Sequence, residues 1–192
     1  MGMIGCFVGL AEQDLKAVQE KPERFHALLG LPQIPASKLS FLQRLFGAKT
    51  AAIPAQPDWK PSKSFEDFDV DKAWHGIHFL LTGSDWEGEG PLAFILHGGE
   101  ELKGVDNGYG PPHVFTSAEV REINRALEGI DPQKLFEKAD QADFTKNEIY
   151  PEIWDSESKE DCIGYVTENL AELKRFIAKI ACEKKALIVY LG

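Results

Sequence analysis

The stretch Ala186-Leu187-Ile188-Val189-Tyr190-Leu191 lies near the end of the sequence and decides the fold class. A strand that is nonpolar at every position buries both of its faces, as a central strand does in a sheet covered by helices. Just before it, residues 157–183 repeat nonpolar side chains at steps of three and four, which predicts the longest helix of the chain. The side chains on that face are Cys162, Val166, Leu170, Leu173, Ile177 and Ile180. This part of the sequence therefore predicts a long helix packed on a central strand.

The beginning of the sequence predicts a second strand of the same sheet. Residues 4–10 form a short nonpolar run, and residues 12–20 follow as an amphipathic helix. Farther along, Thr116 and Glu119 have the spacing of a capping box, which starts another helix. The summed pattern predicts an α/β (α+β) fold. It is a helix-rich single domain over residues 1–192, around a small mixed sheet that includes the N- and C-terminal strands.

Residues 31–64 fit this pattern least well. Ser37 has the side chain of a helix cap, and the nonpolar residues after it predict a helix that reaches Phe46. Three prolines between residues 48 and 64 exclude a regular element there, and a loop of that length is typically mobile or functional. We predict that residues 31–64 are an elaboration on the core or a mobile loop.

The charge of the chain limits its partners. Its 192 residues carry a formal net charge of -10, and residues 137–161 hold nine acidic residues and three lysines. Binding to nucleic acid or to an anionic membrane requires clustered Lys and Arg, and the sequence has no such cluster. We therefore expect no nucleic-acid partner and no membrane partner. A basic protein partner is allowed electrostatically, but the commoner role of such acidity is only to keep the protein in solution.

The cysteines and the first residues indicate the compartment. Cys6, Cys162 and Cys182 are odd in number and include no CxxC spacing, so a secreted disulfide framework is not expected. Residues 4–10 are too short and lack the preceding positive charge for a signal peptide. No nonpolar run reaches the roughly 20 residues of a membrane span. We expect a cytoplasmic protein.

A polar stripe on the predicted helix at residues 69–82 is the clearest candidate for chemistry. Asp71, His75, His78 and Thr82 follow one another at steps of four, three and four. At about 100° per residue, all four fall within about 60° of one another on the helix surface. The stripe borders the nonpolar face of the helix, so it lies where a core meets a cleft.

Three functions fit this stripe. Two of its side chains could bind a metal ion, with a third ligand from elsewhere in the chain, such as His97, His113, Glu148 or Asp155. Alternatively, Asp71 could orient His75 as a general base, or the stripe could line a pocket for a small polar ligand. The candidate ligand-binding residues are Asp71, Trp74, His75, His78, Thr82, Tyr109 and Trp154. The competing interpretation is structural, with histidines at a core margin bonded to nearby carbonyls. We predict no resident metal and no cofactor.

Several segments resemble the bacterial YfbM-like family. They are Met1-Gly2-Met3-Ile4-Gly5, residues 69–83, Gly108-Tyr109-Gly110-Pro111, Glu148-Ile149-Tyr150-Pro151 and the strand at 186–191, in the order that the family shows. The resemblance implies a compact α/β fold in a bacterial cytoplasm. It implies no activity and no catalytic residues, because this is a family of unknown function.

Two hypotheses of different classes follow. The first is a non-enzymatic binding module whose acidic surface, concentrated at residues 137–161, holds a basic protein partner; its sharpest version is an immunity-type role against a basic toxin. The alternative is a small enzyme or a ligand- or metal-binding protein that uses Asp71, His75 and His78. We favour the binding module. The sequence predicts neither the oligomeric state nor the catalytic residues that an enzyme would need.

Overall fold

The computed structural model describes residues 2–30, 59–62, 65–105 and 108–192. In these ranges five strands form one sheet. They are β1 (Gly5–Leu10), β2 (Glu66–Asp69), β3 (Glu100–Glu101), β4 (His113–Phe115) and β5 (Ala186–Leu191). The order across the sheet is β2-β1-β5-β4-β3, so the strand from the end of the sequence is central and pairs with the strand from its beginning.

Seven α-helices surround this sheet in the described ranges. They are α1 (Glu12–Glu20), α2 (Arg24–Leu28), α3 (Trp74–Thr82), α4 (Ser117–Glu128), α5 (Pro132–Lys138), α6 (Gln141–Lys146) and α7 (Lys159–Cys182). Two short 3-10 helices, at Asp71–Ala73 and Pro91–Ala93, complete the helical structure there. The predicted fold class is confirmed, with both terminal strands in the sheet.

The strand pairings differ from the prediction in one respect. Each of the four pairings is antiparallel, whereas the sequence predicts a mixed sheet. The nonpolar run in β5 arises because helices cover both faces of this antiparallel sheet. Leu187 and Val189 point into the larger core, and Ala186 and Ile188 point into a smaller core on the other face. The inference that β5 is buried on both sides is correct, although its neighbours run antiparallel.

The helix predicted over residues 69–82 is shorter than expected. β2 ends at Asp69, and the carboxylate of Asp69 accepts a hydrogen bond from the backbone N–H of Asp71 at 3.0 Å. Asp71 has a φ of 45°, which lies in the left-handed region, so a regular helix cannot pass through it. The α-helix begins only at Trp74. Its predicted end is correct, because Gly83 adopts the left-handed conformation (φ 75°) typical of a helix stop.

Other predictions have mixed outcomes. α1 has the predicted bounds, and α4 begins with the predicted capping box of Thr116 and Glu119. The helix predicted to end at Phe46 lies outside the described residues, as does most of 31–64. Of that segment, Trp59 packs against the smaller core, and the hydroxyl of Ser62 donates to the carboxylate of Asp14 at 2.9 Å.

Two close approaches hold α3 in the centre of the larger core. A Cβ added to Gly5 would lie 2.5 Å from the Cβ of Trp74, and one added to Gly76 would lie 2.8 Å from a methyl group of Val166. Glycine at these positions lets β1 and α7 pack directly against the helix. Because α3 is held on both sides, the side chains that it projects occupy fixed positions.

Candidate functional site

The loop that follows α3 is held by three histidines. This loop, residues 83–91, is called the Trp86 loop below. Three of its consecutive backbone carbonyls each accept a hydrogen bond from the Nε2 atom of a histidine. The pairs are His75 with Asp85 at 2.9 Å, His78 with Glu87 at 3.0 Å, and His97 with Trp86. A carbonyl oxygen only accepts, so each of these Nε2 atoms carries a proton. The backbone at the tip of the loop is therefore fixed at three successive residues.

His75 connects the Trp86 loop to the loop between α6 and α7, which contains Tyr150. Its Nδ1 accepts a hydrogen bond from the backbone N–H of Tyr150 at 2.9 Å, so both ring nitrogens have partners. The side chain is fully buried, and burial lowers the pKa of His75 from its ordinary value. Because Nδ1 accepts this bond it carries no proton, so the imidazole is neutral, and gaining a proton on Nδ1 would break the bond to Tyr150.

His78 is also fully buried. Burial, with smaller contributions from the neighbouring His97 and His75, lowers its pKa to about 4. Within the described part of the chain its Nδ1 has no hydrogen-bond partner. Thr82 donates from its hydroxyl to the backbone carbonyl of His78 at 2.8 Å, and accepts from the N–H of Ser84 at 3.2 Å. His78 and Thr82 therefore fix the first part of the loop.

The other candidate residues do not join this group. The carboxylate of Asp71 accepts from the hydroxyl of Tyr165 at 2.9 Å, and burial together with this bond raises the pKa of Tyr165 to about 12. Trp154 is buried, with its indole N–H donating to the carbonyl of Ile149, whereas Tyr109 is exposed. Of the predicted ligand-binding residues, therefore, only those on α3 lie close together. Their role in holding a ligand stays a prediction.

An aromatic cluster packs against the Trp86 loop. The ring of His75 stacks on Trp74 with 4.9 Å between centroids and an angle of 11°, and Trp86 lies 4.4 Å from the same imidazole. The indole of Trp74 donates to the carbonyl of Met3 at 3.2 Å, and the hydroxyl of Tyr150 accepts from the N–H of Met3 at 3.0 Å. Three of the segments that carry the family resemblance thus contact one another here.

Trp86 itself is half exposed, with 51% of its surface accessible. One side of its indole faces His75, and the remainder faces solvent. The adjacent carboxylate of Asp85 accepts from the N–H of Trp86 at 2.8 Å, and this bond is the main reason that the pKa of Asp85 is lowered. Glu87 and Glu89 are exposed and form no salt bridge with any residue that the structure describes.

The histidines and the loop are both visible in the sequence, but the hydrogen bonds between them depend on the tertiary structure. Ser84-Asp85-Trp86-Glu87-Gly88-Glu89 looks like an acidic, glycine-rich turn, and nothing in it predicts that its carbonyls face histidines. The sequence does contain the donors, because His75 and His78 lie on the preceding helix. His97, in contrast, follows the loop and reaches back to it after a 3-10 helix.

Two further features are absent from the residues that the structure describes. Among the described residues, no three His, Cys, Asp or Glu side chains gather closely enough to hold a metal ion. In the same residues, no helix is both long enough and nonpolar enough to cross a membrane.

The fold and the Trp86 loop define a small α+β protein that presents a fixed acidic loop beside its central helix. A family-wide sequence profile, described as a domain of unknown function (DUF1877), matches residues 1–190, so the chain belongs to that family. The crystal structure of YfbM from Escherichia coli, a protein of unknown function, has a similar fold. Its TM-score is 0.64 at 17% sequence identity, over 98% of this chain and 99% of that chain. No curated protein sequence matches the chain significantly.

Proposed function

We propose that this protein is a non-enzymatic binding module that presents the Trp86 loop to a basic protein partner. The observation that carries the proposal is the attachment of three consecutive loop carbonyls to three histidine side chains. Exposed loops are usually mobile, and binding through a mobile loop costs the entropy of ordering it. A loop that is already fixed before the partner arrives avoids most of that cost.

The exposed face of Trp86 is a suitable anchor. Tryptophan is among the residues that contribute most to protein–protein binding, because its large ring buries extensive surface with few rotatable bonds. Here the ring is half exposed and rests against His75. It can therefore contact a partner without changing its own position.

The charge around Trp86 favours a cationic partner group. Arginine and lysine bind aromatic faces by cation–π attraction, and nearby carboxylates strengthen the preference. Glu87 and Glu89 extend from the same loop. The net charge of -10 would also steer a basic protein toward this one from a distance. A basic toxin, in an immunity-type role, is one partner of this kind.

The alternative hypothesis has less support. A general base or a ligand-binding imidazole must be reachable, and both His75 and His78 have no accessible surface. The alternative hypothesis assigns Asp71 the role of orienting His75, but the carboxylate of Asp71 accepts a hydrogen bond from the hydroxyl of Tyr165 instead. The hydrogen bonds of the two histidines are of the kind that the structural interpretation expects.

Capture of a partner with matched variants tests the proposal. The wild-type chain, Trp86→Ala and Ile153→Ala would each be used to capture and cross-link proteins from a lysate at low salt. Ile153 is the control because it is another large nonpolar residue that is 43% exposed beside acidic residues. We expect a basic protein that is captured by the wild type and by Ile153→Ala and is lost with Trp86→Ala. A partner that Trp86→Ala retains would contradict the proposal.

A further inference from the structure

Two cavities lie on either side of Pro91, at the end of the Trp86 loop. The first has a volume of about 230 Å³ and a nonpolar floor of Phe94, Phe115 and Ile123. The second has a volume of about 420 Å³, with Leu81 and Leu92 among its nonpolar walls. Sites for drug-sized ligands typically occupy about 300–1,000 Å³. The first cavity is smaller than this range and the second lies in its lower part, so both have room for single large side chains.

The two cavities form one groove, called the Pro91 groove below. Pro91 lines both of them, and α4 forms a shared wall, with Glu122 and Ile123 in the first cavity and Ala126 in the second. Glu122 and Ala126 are four residues apart, so they lie one turn from each other on the same face of the helix. His97, which binds the carbonyl of Trp86, also lines the first cavity.

The charges that line the Pro91 groove are acidic. Four glutamates line it, and neither a lysine nor an arginine does so among the described residues. The glutamates are Glu119 and Glu122 in the first cavity and Glu87 and Glu89 in the second. Glu119 is already engaged, because its carboxylate accepts from the backbone and the hydroxyl of Thr116, each at 2.7 Å. The other three have no salt-bridge partner in the part of the chain that the structure describes.

We infer that the Pro91 groove binds a peptide segment of the partner in which large nonpolar side chains alternate with arginine or lysine. The nonpolar side chains fill the two cavities, and the basic ones pair with Glu122 at one end and with Glu87 and Glu89 at the other. Charge complementarity selects this occupant, because a nonpolar segment with acidic groups would be repelled along the whole groove. The inference rests on the proposed function and states where, and by what chemistry, the basic partner is held.

A displayed library of short random peptides, selected on the immobilised wild-type chain at low salt, tests this inference. The best peptides would be synthesised and their affinities measured by fluorescence anisotropy for the wild type, Glu122→Lys, Glu168→Lys and Trp86→Ala. Glu168 is the matched control, because it is an exposed mid-helix glutamate that lines neither cavity and has no salt bridge to a described residue.

We expect selected peptides that combine basic and large nonpolar residues. Their affinity should fall about tenfold or more with Glu122→Lys and by less than about twofold with Glu168→Lys. Neutral or acidic peptides, no enrichment over the bare support, or equal losses with the two lysine variants would overturn the inference. Peptides that depend on Trp86 but not on Glu122 would leave the proposed function intact and remove the groove. Peptides that depend on Glu122 but not on Trp86 would keep the groove as a site for basic peptides and remove Trp86 as the anchor of the proposed function.

Discussion

The Trp86 loop and residues 137–161 are both acidic, but their carboxylates have different partners. In the longer segment, Asp140 accepts from the N–H of Ala142 at the start of α6, and Asp161 accepts from the hydroxyl of Ser158 at the start of α7. Asp155 accepts from the hydroxyl of Thr145 at 2.8 Å. These acids stabilise helix ends and connections, as Asp85 does within the Trp86 loop. Glu87 and Glu89, in contrast, have neither a side-chain hydrogen bond nor a salt bridge to any described residue.

The difference separates the amount of negative charge in a segment from the number of its carboxylates that are free to contact a partner. Residues 137–161 hold most of the net charge, and the sequence therefore favours that segment as the contact surface. In the folded protein, several of its charges serve local structure, and the shorter loop combines unpaired carboxylates with a fixed, exposed aromatic ring. The proposed contact surface accordingly lies at residues 83–91, and a surface at 137–161 stays a prediction.

The largest expected effect comes from removing the imidazole that joins the two loops. His75→Ala leaves the carbonyl of Asp85 and the N–H of Tyr150 without partners and opens a cavity beside Trp74. We expect the free energy of unfolding in urea to fall by about 3–5 kcal/mol. His113→Ala is the control, because His113 makes one bond to the carbonyl of Gly98; it should cost about 1 kcal/mol. Equal losses for the two variants would show that His75 does not join the loops.

The next effect is a loss of stability in mild acid. The unfolded chain binds a proton at position 78 near pH 6.5, whereas the folded chain binds it only near pH 4. Between these values the unfolded state holds more protons, so stability decreases as the pH falls from 6.5 to 4, by about 2–3 kcal/mol.

His78→Gln should remove the part of this pH dependence that His78 contributes and leave the part due to His75, whose pKa burial also lowers. Urea unfolding of the wild type and the variant at a series of pH values would measure the difference. Carboxylates with lowered pKa lose their contribution at lower pH; Glu66, whose pKa its bonds to Lys179 and Lys185 lower to about 2, is one. A wild-type profile that is flat between pH 6.5 and pH 4.5 would contradict the burial of a neutral His78.

The smallest effects separate the two acidic segments directly. Asp140→Ala removes the cap of α6 and should cost about 1 kcal/mol of unfolding free energy. Glu89→Ala removes an exposed carboxylate that has no salt bridge to a described residue, so the change should stay within about 0.5 kcal/mol. Thermal and urea unfolding of both variants would measure these values. A larger loss of unfolding free energy for Glu89→Ala than for Asp140→Ala would contradict the distinction between the two acidic segments.

Much of the fold is predictable from local patterns. β5 and β1 are continuous nonpolar runs, and α7 repeats its nonpolar residues at helical spacing. β3 and β4 are not predictable in this way, because strands of two and three residues are too short to show an alternating pattern. The first turn of the predicted helix at 69–82 is wrong because the backbone at Asp71 is left-handed, which helical spacing alone does not reveal.

The candidate site is less predictable than the fold. The sequence identifies His75 and His78 as unusual, but it places them where a core meets a cleft, whereas both are fully buried. Their bonds to the Trp86 loop depend on how that loop folds back over α3, and the third donor, His97, lies eleven residues beyond Trp86. The side chains are recognisable in the sequence, but the carbonyls that they bind are set by tertiary structure.

The central claim is that the Trp86 loop is rigid because histidines hold its carbonyls, and backbone ¹⁵N relaxation measures this directly. We expect order parameters of about 0.85 for the amides of residues 85–87 in the wild type, which is the value of rigid backbone. In His97→Ala, which removes the bond to the carbonyl of Trp86, the value for the amide of Glu87, which shares a peptide plane with that carbonyl, should decrease toward about 0.6. Order parameters below about 0.6 for these amides in the wild type would contradict the account.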